Sequence, residues 1–214
     1  MKESLKIRLN GKILEGELSI PEHAKAVIVF SHGSGSSRFS PRNNFVAQHL
    51  NKRGFATFLF DLLTKEEDLD FEMRFNISLL SERLKDVTEI LMRQPQISHL
   101  PFAYFGASTG AASALIAASY FQNKIKAVVS RGGRPDLAME QLRSVKSPTL
   151  LIVGENDIEV LELNEKVLQE IKAPKKLQIV KGATHLFEEP GALEMAAQLA
   201  TDWFRKYLEP GKQH

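Results

Sequence analysis

The sequence predicts a doubly wound α/β domain over residues 1–214: a mostly parallel sheet of about eight strands, an N-terminal antiparallel hairpin, helices on both faces and no large cap. Three observations predict it. The later strand candidates are short and apolar throughout, as strands covered on both faces must be. Helical patterns alternate with them, the order that builds a parallel sheet. The first two segments instead alternate polar and apolar residues, the mark of half-buried antiparallel strands.

The hairpin is "LKIRL" (5–9) and "ILEGELSI" (13–20), with Asn10-Gly11 as its turn signal. The apolar strands follow: "AVIVF" (26–30), "FATFLF" (55–60), "FAYF" (102–105), "IKAVVS" (125–130), "TLLIV" (149–153) and "LQIV" (177–180). A helix over 41–54 opens with Pro41 in its first turn and stops at Gly54. A second, 76–94, carries apolar residues at a period near 3.6 and ends before Pro95. Stretches 109–122, 157–172 and 191–208 have the same pattern.

Composition narrows the function classes. Of 214 residues, 43 % are apolar and 25 % charged, an ordinary globular mixture. The net charge of +2 provides no strong field toward nucleic acid or a membrane surface. Cysteine is absent, which removes disulfides, thiolate metal sites and a cysteine nucleophile together. The first twenty residues have no signal-peptide core, and no apolar run reaches the length of a membrane span. The expectation is a soluble, cytoplasmic protein.

In sheets of this kind, chemistry collects in the loops at the C-terminal ends of the strands. After "AVIVF" comes Ser31-His32-Gly33-Ser34-Gly35; after "FAYF", Gly106-Ala-Ser-Thr-Gly110; after "TLLIV", Gly154-Glu-Asn-Asp157; after "LQIV", Lys181-Gly-Ala-Thr-His185. Serine, acid and histidine therefore stand at three strand ends. Gly106 to Gly110 also fits G-x-S-x-G, the turn that lifts a serine out of a sheet on strained backbone angles.

The order Ser, Asp, His at these places resembles the α/β-hydrolase fold over nearly the whole chain. The stretches "SHGSGSSRFSPRNN", "FGASTGAA", "SRGGRPDLA", "LIVGENDIEVLELN" and "GATHLFEEPGAL" are similar to the small, lidless branch related to the dienelactone hydrolases. One departure is plain: dienelactone hydrolases proper use cysteine as nucleophile, and here serine holds that place. The resemblance implies a hydrolase acting on a small ester, thioester or lactone through an acyl-enzyme.

In that reading Ser108 attacks, His185 is the general acid/base and Asp157 orients it. The backbone N–H groups of Thr109 and Ser34 hold the oxyanion. No metal or cofactor is implied. Arg38, Arg42, Arg131 and Arg134 fall in the loops expected to shape an open pocket (31–42, 61–75 and 131–143). They are candidates for binding a carboxylate or phosphate on the substrate. The competing reading pairs them with Asp136, Glu66, Glu67 or Asp70.

Rival assignments are weaker. Asp157 could instead cap a helix, with Glu155 and Glu159 as alternative acids. His23, His49, His99 and His214 follow no core strand, and His32 reads as a loop-ordering residue. "GSGSSR" lacks the Gly-Lys-Ser/Thr of a phosphate-binding loop, and Arg38 stands where G-x-G-x-x-G needs its last glycine. Tyr120 and Lys124 suggest a dehydrogenase pair, but both lie at the end of the helix that the glycines open. Two other function classes remain: a non-catalytic binding or interaction module of the same fold, and an acyltransferase using the same three residues.

Overall fold

The structure is a computed structural model that describes residues 1–209. Its sheet has eight strands in the order β1-β2-β4-β3-β5-β6-β7-β8: β1 (Lys2–Leu9), β2 (Lys12–Ser19), β3 (Ala26–Ser31), β4 (Phe55–Phe60), β5 (Phe102–Ala107), β6 (Ile125–Arg131), β7 (Thr149–Gly154) and β8 (Lys175–Val180). β2 is antiparallel to both β1 and β4, and the remaining neighbours are parallel. The hairpin turn places Asn10 at φ 47° and Gly11 at φ 79°, the two left-handed residues of a type I′ turn. Every residue of β3, β4, β5 and β7 is buried, which is why those segments carry no polar alternation.

The described residues form six helices, α1 (Pro41–Asn51), α2 (Phe71–Phe75), α3 (Ile77–Leu91), α4 (Gly110–Phe121), α5 (Ile158–Glu170) and α6 (Ala192–Leu208), and all but α2 bury residues against the sheet. Two hydrophobic cores result. Val46, Ala47 and Leu50 of α1 and Ala196, Ala200, Phe204 and Leu208 of α6 pack on one face. Leu80, Leu84 and Val87 of α3, Ala114 and Leu115 of α4 and Val167 of α5 pack on the other. Among the described residues no helix is long and apolar enough to cross a membrane.

Helix α4 lies unusually close to the sheet. A Cβ on Gly110 would collide with the Ser31 carbonyl oxygen, so only glycine allows this approach. The Ser31 hydroxyl meets that of Ser113 at 2.7 Å, and Ser113 donates to the Gly110 carbonyl at 3.0 Å. The start of α4 is thereby fixed against the end of β3.

The sequence reading omits α2 and the 3-10 turns at Glu67–Leu69, Pro135–Ala138 and Leu142–Ser144. The helix expected to reach residue 54 ends at Asn51, and the one expected to reach 94 ends at Leu91. In each case the last residues form capping turns, with Gly54 N–H donating to Asn51 and Gln94 N–H to Leu91.

Candidate active site

Ser108 sits between β5 and α4 with φ 51°, in the left-handed region that non-glycine residues avoid. A conformation of this kind costs about 1–3 kcal/mol and needs local bonds to hold it. Ser108 N–H donates to the Arg131 carbonyl at 3.2 Å, and its own carbonyl accepts from Ala111 at 3.1 Å and Arg134 at 3.0 Å. From the other side Gly33 presses in: a Cβ there would lie 2.9 Å from Ser108 Cβ. The serine is clamped between β6 and the loop after β3.

His185 and Asp157 come from the loops after β8 and β7, and these loops are stitched together. Glu155 N–H donates to Val180 and Asn156 N–H to Ala183, each at 2.9 Å. The Asn156 side chain donates to Gly182 at 2.9 Å, and Gly182 N–H donates to the Glu155 carboxylate at 2.8 Å. Glu155, the rival acid, is occupied in holding the histidine loop. Asp157 is the N-cap residue of α5, yet its side chain makes no capping bond. It accepts instead from His185 Nδ1 at 2.7 Å. With Nδ1 carrying the proton, Nε2 is left as the acceptor.

Both His185 and Ser108 line one cleft of about 270 Å³, with Gly33, Ser34, Ser36, Ser40, Arg42, Asn43, Ala107, Arg131, Gly132 and Leu186. The imidazole lies over Gly132, where an added Cβ would be 3.6 Å from Cε1. Among the described residues Ser108 Oγ makes no hydrogen bond, to His185 or otherwise.

Thr109 N–H, at the N-cap of α4, has no acceptor among the described residues. Ser34 N–H donates to Thr109 Oγ1 at 2.9 Å. His32 is buried in the same loop: Nδ1 lies 2.9 Å from the Gly33 carbonyl, and Nε2 accepts from Leu62 N–H at 3.1 Å. Burial holds its pKa below the ordinary value, outweighing the Gly33 bond and the charges of Asp61 and Asp68. The ring is a neutral brace for the loop, as the sequence reading expected.

The four candidate arginines separate. Arg38 pairs with Asp61 and Glu15, and Arg134 with Asp136; neither lines the cleft. Their loop-ordering role is the competing reading, with Asp61 and Glu15 in place of Glu66, Glu67 and Asp70 for Arg38. Arg42 lines the cleft and pairs at 3.0 Å with exposed Glu188. Arg131 lines it as well, buried and with no carboxylate within ion-pair distance among the described residues. The expected contribution of residues 61–75 to the lining is not found. Ser36 and Ser40 fall in the expected 31–42 segment; Asn43 lies just beyond it and was not anticipated, since nothing in a helix start of ordinary composition separates lining residues from capping ones.

The sequence profile of the dienelactone hydrolase family matches residues 14–209. The chain belongs to the dienelactone hydrolase family. Among solved structures it is similar to a dienelactone hydrolase from Anabaena variabilis, with 48 % identity and a TM-score of 0.94, covering 97 % of this chain and 98 % of that one. The esterase domain of a Rhodothermus marinus protein shares 19 % identity and a TM-score of 0.78, covering 97 % of this chain and 99 % of that one, a likeness of fold alone. Two Mycobacterium tuberculosis proteins, provisionally named phosphoribosyl transferases, are 55 % identical over 193 residues. The match covers 90 % of this chain and 44 % of each of theirs, so the chain spans less than half the length of these relatives.

Proposed function

We propose that the chain hydrolyses a small ester, thioester or lactone through an acyl-enzyme formed on Ser108. The observation that carries this reading is the 2.7 Å bond from His185 to Asp157, at the rim of a cleft in which Ser108 stands on a left-handed turn. A hydroxyl is a poor nucleophile until a base removes its proton. Here the base has its tautomer set by Asp157, and substrate entry brings Nε2 and Oγ into hydrogen-bond contact.

Ser108 Oγ adds to the carbonyl carbon while His185 Nε2 takes its proton. The carbonyl oxygen becomes an oxyanion, held by Thr109 N–H and by Ser34 N–H, which turns to it from Thr109 Oγ1. Collapse breaks the bond to the leaving group, which receives the proton from His185. Water then repeats the sequence on the acyl-enzyme, releasing the acid and restoring the serine. Each oxyanion donor is worth about 3–4 kcal/mol of transition-state stabilisation. The phosphoribosyl transferase name does not carry over: it belongs to proteins more than twice as long as the matched segment, and a serine activated by histidine is a group for acyl transfer.

A fluorophosphonate probe tests the proposal, because only an activated serine is labelled. One equivalent of label on the wild type and none on Ser108→Ala or His185→Ala is the expected result. Absence of labelling in the wild type would favour a non-catalytic binding module. Product analysis with competing alcohols separates hydrolysis from transfer to another acceptor.

A further inference from the structure

Asn164 is fully buried in the middle of α5, where an amide is an expensive choice. Both of its N–H groups are used. Nδ2 donates to the Val160 carbonyl at 2.7 Å, within the helix, and to the Gly133 carbonyl at 3.0 Å, outside it. Its Oδ1 is buried with no partner among the described residues. A leucine would fill this place without that orphaned acceptor, so the helix itself gains little from asparagine. The bond to Gly133 is what the amide adds.

That bond lands on one particular peptide. The Gly133 carbonyl and the Arg134 N–H belong to the same trans peptide group and point opposite ways. Arg134 N–H donates to the Ser108 carbonyl at 3.0 Å. The unit therefore links α5, through Asn164, to the backbone of the serine held at φ 51°. A carbonyl that accepts a bond polarises its peptide and makes the N–H on the other side a better donor. Gly133 lets this peptide in, since a Cβ there would collide with Ser130 Oγ and with Ala111 Cβ of α4.

At its start the same helix carries the acid. Asp157, the N-cap residue of α5 and about two turns before Asn164, accepts from His185 at 2.7 Å. The sheet does not by itself fix the distance between acid and serine. Its ladder pairs Ala107 with Arg131 and Arg131 with Ile152, and both Ser108 and Asp157 lie beyond those rungs. One rigid helix thus bears the partner of the histidine and grips the turn that clamps the serine.

We propose that Asn164 is a positioning residue: through the Gly133–Arg134 peptide it ties the helix that carries Asp157 to the backbone of Ser108, and so sets the reach between His185 Nε2 and Ser108 Oγ. It does not line the cleft, so it acts only through these groups. Its effect on turnover rests on the acyl-enzyme reading, though the tie itself does not.

Two variants test it. Asn164→Leu removes both bonds at similar volume, and Asn164→Ser keeps the bond to Val160 while falling short of Gly133. In each, kcat on 4-nitrophenyl acetate is expected to fall about ten- to hundredfold with KM little changed, the loss that misplacement by about 1 Å brings. Thr201→Val is the control, because Thr201 of α6 is equally buried and spends its hydroxyl on Ala197 of its own helix. It is expected to leave kcat unchanged. Fluorophosphonate labelling separates position from folding: each Asn164 variant should still take up one equivalent, at a rate reduced in step with kcat. Labelling of a smaller fraction of the protein at the full rate would make Asn164 a support for folding alone, and overturns the proposal. Amide hydrogen exchange followed by NMR reads the tie without turnover. Exchange of Arg134 N–H is expected to speed up at least about tenfold in both variants, while Leu161 N–H, bonded to the Asp157 carbonyl at 2.8 Å, keeps its protection. Unchanged Arg134 exchange, or kcat equal to that of the wild type, overturns the proposal. A wild type that takes up no label refutes the acyl-enzyme instead, and Arg134 exchange then decides on the tie alone.

Discussion

The backbone amide of Ser34 donates to the hydroxyl of Thr109 at 2.9 Å, joining the loop after β3 to the first residue behind the nucleophile. The two amides proposed for the oxyanion are thus coupled by one side chain. Removing that side-chain acceptor frees the Ser34 loop from α4 without touching either amide. Thr109→Val is expected to lower kcat about five- to tenfold with KM little changed, the worth of one positioning hydrogen bond. Thr109→Ser retains the hydroxyl and most of the rate. Steady-state kinetics on one ester checks both.

Asp157 spends its carboxylate on His185 and none of it on capping α5. Asp157→Asn should therefore cost catalysis rather than helix stability. The expected loss in kcat is about 10⁴-fold, because the amide no longer selects the tautomer with a free Nε2. The melting temperature should move by less than about 2 °C, read by circular dichroism on the same sample.

Ser108 is held at φ 51° for chemistry that glycine would not need. Ser108→Gly is expected to abolish fluorophosphonate labelling while raising stability. Relief of strain worth about 1–3 kcal/mol exceeds the extra freedom glycine gains in the unfolded chain. A net gain of about 1 kcal/mol corresponds to a rise of roughly 2–4 °C in Tm for a chain of this size. Ser108→Ala keeps the strain and should show no such rise.

His32 has its pKa lowered by burial in the folded protein. The unfolded chain therefore takes up a proton that the native state refuses, and stability rises with pH across that window. The contribution is complete above the ordinary histidine value near 6.5 and is lost as pH falls below it. Urea unfolding of the wild type should show a lower midpoint at pH 5.5 than at pH 7.5. His32→Gln should narrow that difference, leaving the part due to His49, whose pKa burial also lowers.

Legibility in the sequence followed burial. β3, β4, β5 and β7 could be read because complete burial leaves an unbroken apolar run. β8, at the edge, could be read only from Leu177 onward, since Lys175 and Lys176 pair with β7 while staying exposed. α2 could not be read: Phe71 and Phe75 are exposed and lie against each other with tilted rings, so no amphipathic stripe marks it. At the site, Ser108, Asp157 and His185 announced themselves by standing at strand ends. The arginines did not separate, because sequence distance does not tell which of them finds an acid: Arg38 and Arg42 have none nearby in sequence and still pair, while Arg131 lies close to Asp136 and does not pair with it. Arg38 meets Glu15 of β2, a partner no local pattern suggests, while Arg131 meets none among the described residues.

The nucleophile precedes both its partners along the chain, and the loops that carry them are bound together only once β7 and β8 lie side by side. On the proposed acyl-enzyme reading, a polypeptide leaving the ribosome would display its serine before the residues that activate it have been made. Reactivity would then arrive last. The covalent tag that reports catalysis in the mature protein would, applied during synthesis, keep time on completion of the sheet.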